Sequence, residues 1–347
     1  MNTKGRGGPR IGCCNFIALL TFCAPAFAGT TWEFATEYPE NTMPGLGIAT
    51  FQRLVNTYAG DALQIDAKYA APIKSSGLIK AVHERRLQGG DAFAGSLADV
   101  DPIFQLSSLP FVTQSIDDAR RLACVARAEY AKVFERHGQH LLYVTPWPPT
   151  GLWTREPIAS PHDFPALTVR TYDKISEAVM TTVGARAINA SFSEVMPRLE
   201  NGSVNGILSS GDGDAGRRFW KFLPNFTAIT YAVPLSFAIV DDSEYRKLPQ
   251  ALKDKVDAAA AETEREQWTR VETRVEKNFA QMRVNGIAIH AAPSPAVMEL
   301  LRKAAAPSIA AWREKAGPDR ERILERYQSD GRSVSYCAEA VFEASAQ

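Results

Sequence analysis

The chain has 347 residues, 22% charged and 45% hydrophobic, and its 39 basic side chains balance 39 acidic ones. Nothing in that balance points to nucleic acid or an anionic membrane surface as partner, and the length fits two domains of ordinary size.

The first 28 residues read as a secretory leader. Lys4, Arg6 and Arg10 make a basic start, Ile11 to Phe22 is mostly apolar, and Ala26-Phe27-Ala28 supplies the small residues of a cleavage site. The apolar run carries Asn15 and falls short of the ~20 residues of a membrane span. A lipoprotein cleavage before Cys23 would need a small residue where Phe22 stands. With no Arg-Arg pair in the leader, export is expected to be unfolded and without a bound cofactor. Cleavage after Ala28 leaves 319 residues in the periplasm, with 36 basic and 39 acidic side chains. Two cysteines remain, Cys124 and Cys337; in an oxidising compartment they are expected either to be bonded to each other or both to be buried.

Short apolar strands alternate with helical stretches. Thr31 to Thr36, Leu63 to Tyr69, Asp91 to Ala94, Leu141 to Val144, Leu167 to Tyr172 and Val204 to Leu208 all read as strands, which predicts an α/β fold with largely parallel sheets. Gln250 to Asn285 contains neither Gly nor Pro and repeats apolar positions at helical spacing. It reads as one helix of about 35 residues and about 50 Å, long enough to cross two domains; a hairpin turning near Thr263 is the alternative.

After Val204 to Leu208 comes SSGDGDAG, in which Gly211, Gly213 and Gly216 satisfy G-x-G-x-x-G ahead of a helical stretch. An exported oxidoreductase using this loop for a nucleotide cofactor is the alternative function. Asp212 and Asp214 oppose it, because two carboxylates would repel a pyrophosphate. No cofactor and no metal is therefore expected. The five histidines are scattered, and His137-Gly138 reads as the end of a helix rather than half of a metal site. No nucleophile elbow is present, so no enzyme chemistry is expected.

Three strands end in unusual residues: Pro146-Trp147-Pro148-Pro149, Arg170, and Ser209-Ser210-Gly211. Ligands of open α/β sheets bind beyond the carboxyl ends of the strands, so these endings should converge on one pocket. Arg170, in FPALTVRTYD, is the only permanent charge among them. Its guanidinium matches a carboxylate through two parallel N–H to O bonds. An ion pair with an internal Asp or Glu is the competing role.

The stretches PWPPTGLWTREPIASPHDFPALTVRTYD, VGARAINASFSEVMPRLENGSVNGILSSG and YAVPLSF, with the upstream GLIKAVHERRLQGGDAFAGSLADVDPIFQLSSLPFV, are similar to the periplasmic solute-binding subunits of tripartite ATP-independent (TRAP) transporters. That resemblance implies a two-lobed periplasmic binding protein fold, its lobes joined by crossing strands and a long helix. Lobe I would hold 29–146 and about 234–275, lobe II about 147–233 and about 276–330, with 331–347 a C-terminal tail. It implies a small organic acid as ligand, membrane permease subunits as partners, and a monomer. Arg170 falls on the arginine that holds the ligand carboxylate, Ser209 on a ligand-bonding Asn, and Phe192 on an apolar wall. Thr150 falls where some members carry a second arginine for polyhydroxylated acids, whose absence argues against such ligands. Trp147, Trp153, Tyr172 and Ser210 complete the expected site; the apolar bodies of Trp147, Trp153, Tyr172 and Phe192 around one ion pair suit a monocarboxylate with an aromatic or branched body. Ser191-x-x-Glu194 reads as a capping box, with Pro197 awkward inside the helix it would open.

Overall fold

The computed structural model describes residues 1–3, 5 and 29–329. The leader with its cleavage site, the tail from 331 and Cys337 lie outside the described residues. Cys124 is disulfide-bonded.

The first sheet runs in the order β2-β1-β3-β10-β4, from β1 (Thr30–Ala35), β2 (Leu63–Lys68), β3 (Gly89–Phe93), β4 (Gln139–Pro146) and β10 (Leu235–Asp241). The division of its two faces is plainest in β10, LSFAIVD, which is buried throughout. Leu235, Phe237 and Ile239 enter one core with Phe104, Tyr130 and Phe134, while Ala238 and Val240 enter the other with Phe51 and Val256. Helices cover both faces of this sheet, which is why β10 reads as a continuous apolar run.

The second sheet is β11-β9-β5-β8-β6-β7, formed by β5 (Gly151–Thr154), β6 (Thr168–Thr171), β7 (Arg186–Asn189), β8 (Gly206–Ser209), β9 (Asn225–Thr227) and β11 (Ala288–His290). Here too a two-residue period divides the faces. Leu152, Val169 and Leu208 pack with Val179, Met180 and Leu301, whereas Trp153 and Ile207 pack with Leu199, Phe219 and Met282.

Two strands cross between the sheets. β4 runs on through Trp147–Thr150 into β5, and β9 returns through 228–234 into β10. They bond to each other in passing: Trp147 N–H donates to Pro234 O at 2.9 Å, Thr150 N–H to Ala232 O at 2.8 Å, and Tyr231 N–H to Thr150 O at 2.9 Å. This crossing corrects the largely parallel sheets expected from sequence. A chain that leaves and re-enters each sheet must do so in reverse, so β10 is antiparallel to β3 and β4, and β5 to β8 and β9.

The third connection is a single helix, Gln250–Val284. No turn occurs at Thr263, whose hydroxyl instead donates to Ala259 O at 2.7 Å within the helix. Leu252 and Val256 sit in a core of the first lobe and Met282 in the second. Among the described residues no helix is long and apolar enough to cross a membrane.

The C-terminal helices differ from expectation. Val297, Leu301 and Ala304 belong to the second lobe's core, but Trp312, Ala316, Leu324 and Tyr327 pack into the first lobe's core. Trp312 Nε1 donates to Pro102 O at 2.7 Å and Arg320 pairs with Asp101 at 2.5 Å. The stretch placed wholly in lobe II by sequence therefore returns to lobe I, because helix Pro318–Ser329 finds its apolar partner on helix Ile116–Arg136.

Local rules held at several ends. His137 and Gly138 close helix Ile116–Arg136, Gly138 with φ of 73°. The Ser191–Glu194 box forms, with Ser191 N–H donating to Glu194 Oε2 at 3.0 Å and its hydroxyl at 2.6 Å. Pro197 is accommodated because the box opens a single 3-10 turn, and the α-helix that follows starts only at Val195, leaving Pro197 in its first turn.

Candidate functional site

β6 delivers Arg170 to the cleft. Its backbone is in register with Ile188 of β7 and Ile207 of β8, and the residue is 6% exposed. Arg170 Nε donates to Ala190 O at 2.9 Å, which fixes the stem at the end of the neighbouring strand. Among the described residues its two Nη groups make no hydrogen bond and no ion pair; Glu37 and Asp173 act on it only through space. Burial lowers the guanidinium's proton affinity, but an arginine stays charged at any physiological pH. A buried cation thus faces a cavity without a partner.

That cavity measures about 60 Å³. Arg170 shares it with six other residues picked out by sequence: Trp147, Thr150, Tyr172, Phe192, Ser209 and Ser210. Trp153 is not brought there. It is fully buried in the second lobe's core, 4.8 Å from Phe226 and 5.8 Å from Phe219 between ring centroids. Both faces of β5 pack into core, Leu152 on one side and Trp153 on the other, and Trp153 lies opposite Ile207, two residues inside the strand from its cleft end at Gly151 and Ser209.

Sequence reasoning missed Tyr38, Phe93, Ser96 and Ser191, which also line the cavity. Tyr38 follows the end of β1 and Phe93 ends β3. The strand-end rule that singled out Arg170 would have found both had it been applied to the first sheet as well. These rings form one aromatic wall contributed by both lobes. Tyr38 lies 4.8 Å from Trp147 and 5.3 Å from Phe192, and Phe93 lies 5.3 Å from Tyr172. Trp147 is held by an Nε1–H bond to Ser236 Oγ at 3.0 Å. Burial pushes the Tyr38 and Tyr172 hydroxyls well above their usual range, so both remain protonated donors. Ser209 Oγ accepts from Gly211 N–H at 3.2 Å, which leaves its own proton to donate.

Asp173 caps helix Lys174–Thr182, its Oδ1 accepting from Ser176 N–H at 2.7 Å and Ser176 Oγ at 2.6 Å, while buried Oδ2 has no partner among the described residues. Burial raises its pKa to about 6 against those bonds and against Arg170. A carboxyl whose folded-state pKa is raised contributes most while protonated, so its contribution is complete below about pH 4 and is lost as pH rises to about 6. Asp173→Asn keeps a capping oxygen. Its melting temperature relative to the native protein is expected to climb from pH 4 to pH 6 and then level off; a relative melting temperature that falls over that interval would contradict this assignment.

The glycine-rich loop offers no phosphate cradle. A Cβ on Gly211 would stand 2.2 Å from Trp153 Cζ2, and one on Gly213 would stand 2.6 Å from Asn41 O, so both are glycine for want of space, with φ of 68° and 56°. The Asp214 N–H, which a phosphate would need, already donates to Asn41 Oδ1 at 3.0 Å. The nucleotide-cofactor alternative has no support here. Among the described residues no group of three or more His, Cys, Asp or Glu could hold a metal ion.

The fold and the sequence both have known relatives. A family model for bacterial extracellular solute-binding protein, family 7 (DctP), matches residues 34–315. DctP7 of Bordetella pertussis, an extracytoplasmic solute receptor binding pyroglutamic acid, is 23% identical with a TM-score of 0.82, over 86% of this chain and 99% of that one. A marine metagenome TRAP solute-binding protein specific for pyroglutamate is 21% identical with a TM-score of 0.82, over 87% of this chain and 99% of that one. DctPAm of Advenella mimigardefordensis, a sugar acid binding protein in complex with galactonate, is 18% identical with a TM-score of 0.79, over 86% and 97%. No curated protein matches the chain. With the family model spanning residues 34–315 and the two-lobed fold shared throughout, the chain belongs to the family 7 extracellular solute-binding proteins of TRAP transport.

Proposed function

We propose that the protein is the periplasmic receptor of a TRAP transporter and captures one compact organic monocarboxylate, which it carries to membrane permease subunits as a monomer. It binds its cargo and transforms nothing. The observation behind this reading is Arg170, buried, anchored through Nε alone, and free at both Nη groups toward the cavity. A carboxylate there makes two charge-assisted bonds and neutralises a cation that is otherwise costly to bury.

The rest of the wall narrows the ligand. Among the described lining residues Arg170 is the sole cation, and the one acid, Asp212, is paired with Arg274 at 2.6 Å. A second carboxylate would thus be desolvated against aromatic rings and serine hydroxyls with no charge to meet it. Solved relatives hold pyroglutamate, L-malate, succinate and galactonate. Of these chemistries the compact, singly charged ring of pyroglutamate fits one guanidinium and an aromatic wall best. A branched or aromatic monocarboxylate of similar size fits the same description.

The test is a thermal-shift screen of organic acids, each beside its neutral amide. Ligand at about 100 times its Kd adds ~2.7 kcal/mol, roughly 4 °C here. Monocarboxylates are expected to raise the melting temperature and their amides to leave it unchanged. Shifts only with dicarboxylates or sugar acids would overturn the ligand class.

A further inference from the structure

The loop after β8 holds more than a turn requires. Asp212 has a fully enclosed side chain and uses both carboxylate oxygens. Its Oδ2 accepts from Met43 N–H at 2.7 Å, and its Oδ1 accepts from Arg274 Nε at 2.6 Å and Asn278 Nδ2 at 3.0 Å. Met43 opens helix Met43–Ala59, which covers the first sheet, while Asp212 stands just past β8 of the second. Asn41 completes the grip from the first lobe: its carbonyl accepts from Arg274 Nη2, and its Oδ1 accepts from Asp214 N–H at 3.0 Å.

The other ion pairs across the cleft are of a different kind. Lys74–Glu194 at 3.0 Å and Lys174–Asp99 at 2.7 Å stand at the rim with side chains roughly half exposed or more. Such pairs contribute little. The Asp212 contact is desolvated, and it places a carboxylate on an unsatisfied N–H in the first turn of a helix, where the helix dipole adds to the bond.

Asp212 also borders the ligand cavity, two residues past Ser210. We propose that Asp212 is a positioning residue for capture: it clasps the two lobes through Met43 and Asn41 and thereby holds Ser209 and Ser210 against the bound acid, so that release requires this clasp to open. Arg274 and Asn278 hold the carboxylate aimed at Met43 N–H. The Met43 N–H is the bond exchanged with water as the lobes part. The same contact explains the middle glycine of the pattern that mimics a phosphate loop, since Gly213 must let Asn41 O approach. The inference rests on the cavity being the ligand site.

The test compares the native mature chain with Asp212→Asn and Asn41→Ala, using pyroglutamate as probe. Spin labels at Lys132→Cys and Thr181→Cys, one on each lobe, report the interlobe distance, and stopped flow reports binding rates. In the native protein saturating pyroglutamate is expected to shift the population to the short distance. Both variants are expected to stay mainly at the long distance and to release pyroglutamate ten- to a hundredfold faster, with association changed less than about threefold. A merely structural role would lower the melting temperature of the ligand-free protein and leave the dissociation rate unchanged. Should Asp212→Asn not fold, Asn41→Ala decides alone, because it removes only the acceptor for Asp214 N–H. Variants that close and release as the native protein does would overturn the clasp. If pyroglutamate neither binds nor closes the native protein, the ligand reading fails instead. The clasp is then judged on ligand-free chains, where equal closed populations in native and variants would overturn it.

Discussion

Arg170→Ala is expected to weaken carboxylate binding about a hundredfold or more. Each charge-assisted bond contributes roughly 1.5 to 3 kcal/mol, and ~1.4 kcal/mol is a factor of ten in Kd, so loss of a two-bond fork exceeds two orders of magnitude. Arg170→Lys should fail almost as badly. An ammonium keeps the charge but loses the planar fork, and it also lacks the Nε–H that ties Arg170 to Ala190 O at 2.9 Å. The ligand-free protein should respond in the opposite sense. A buried cation with no paired carboxylate is a cost to the fold, so Arg170→Ala should melt at or above the native temperature. Titration calorimetry and melting curves together decide this: unchanged affinity with a lowered melting temperature would assign Arg170 a structural role.

Trp147→Ala carries the second large effect, and it falls on fold and binding at once. Trp147 lies where β4 leaves the first lobe, 7% exposed, edge-on to Tyr38 at 4.8 Å and to Phe93 at 6.3 Å. Removing a buried indole costs about 3 to 5 kcal/mol, and here the void would open into the crossing strands themselves. Affinity should fall with it, because the ligand's apolar body loses one face of its enclosure. Trp147→Phe separates the two contributions. It retains the ring contacts with Tyr38 and Phe93 and loses only the Nε1–H bond to Ser236, so most of the stability and most of the affinity should return. Equal losses in the two variants, read by denaturant unfolding and calorimetry, would argue against an enclosing role.

Legibility of the sequence followed the physics of each signal. Arg170 was readable because a lone permanent charge at a strand end has few explanations, and Ser209, Ser210 and Trp147 because the same rule covers strand endings. The helix Gln250–Val284 was readable from 35 residues without Gly or Pro. Trp153 misled because it lies inside β5, opposite Ile207, while the cleft end of that strand is Gly151, opposite Ser209; nearness in sequence to Trp147 and Thr150 does not show where the strand begins. β10 was harder to place: with both faces covered, LSFAIVD gives no alternation, and its reversed direction follows from a crossing that only the assembled lobes reveal. The return of Trp312 and Tyr327 to the first lobe depends on a long-range apolar contact that no local pattern announces. The glycine loop shows the limit of motif reading. Its three glycines satisfy a phosphate pattern, yet two of them answer to Trp153 and Asn41.

The most direct test is a pair of titrations on the native protein: the monocarboxylate giving the largest thermal shift, and its primary amide, which matches it in shape but lacks the charge. With Arg170 Nη free toward a small cavity, the acid should bind at least a hundredfold more tightly than the amide, a gap that disappears in Arg170→Ala. Equal binding of acid and amide by the native protein would contradict the claim that this guanidinium is kept for a guest carboxylate.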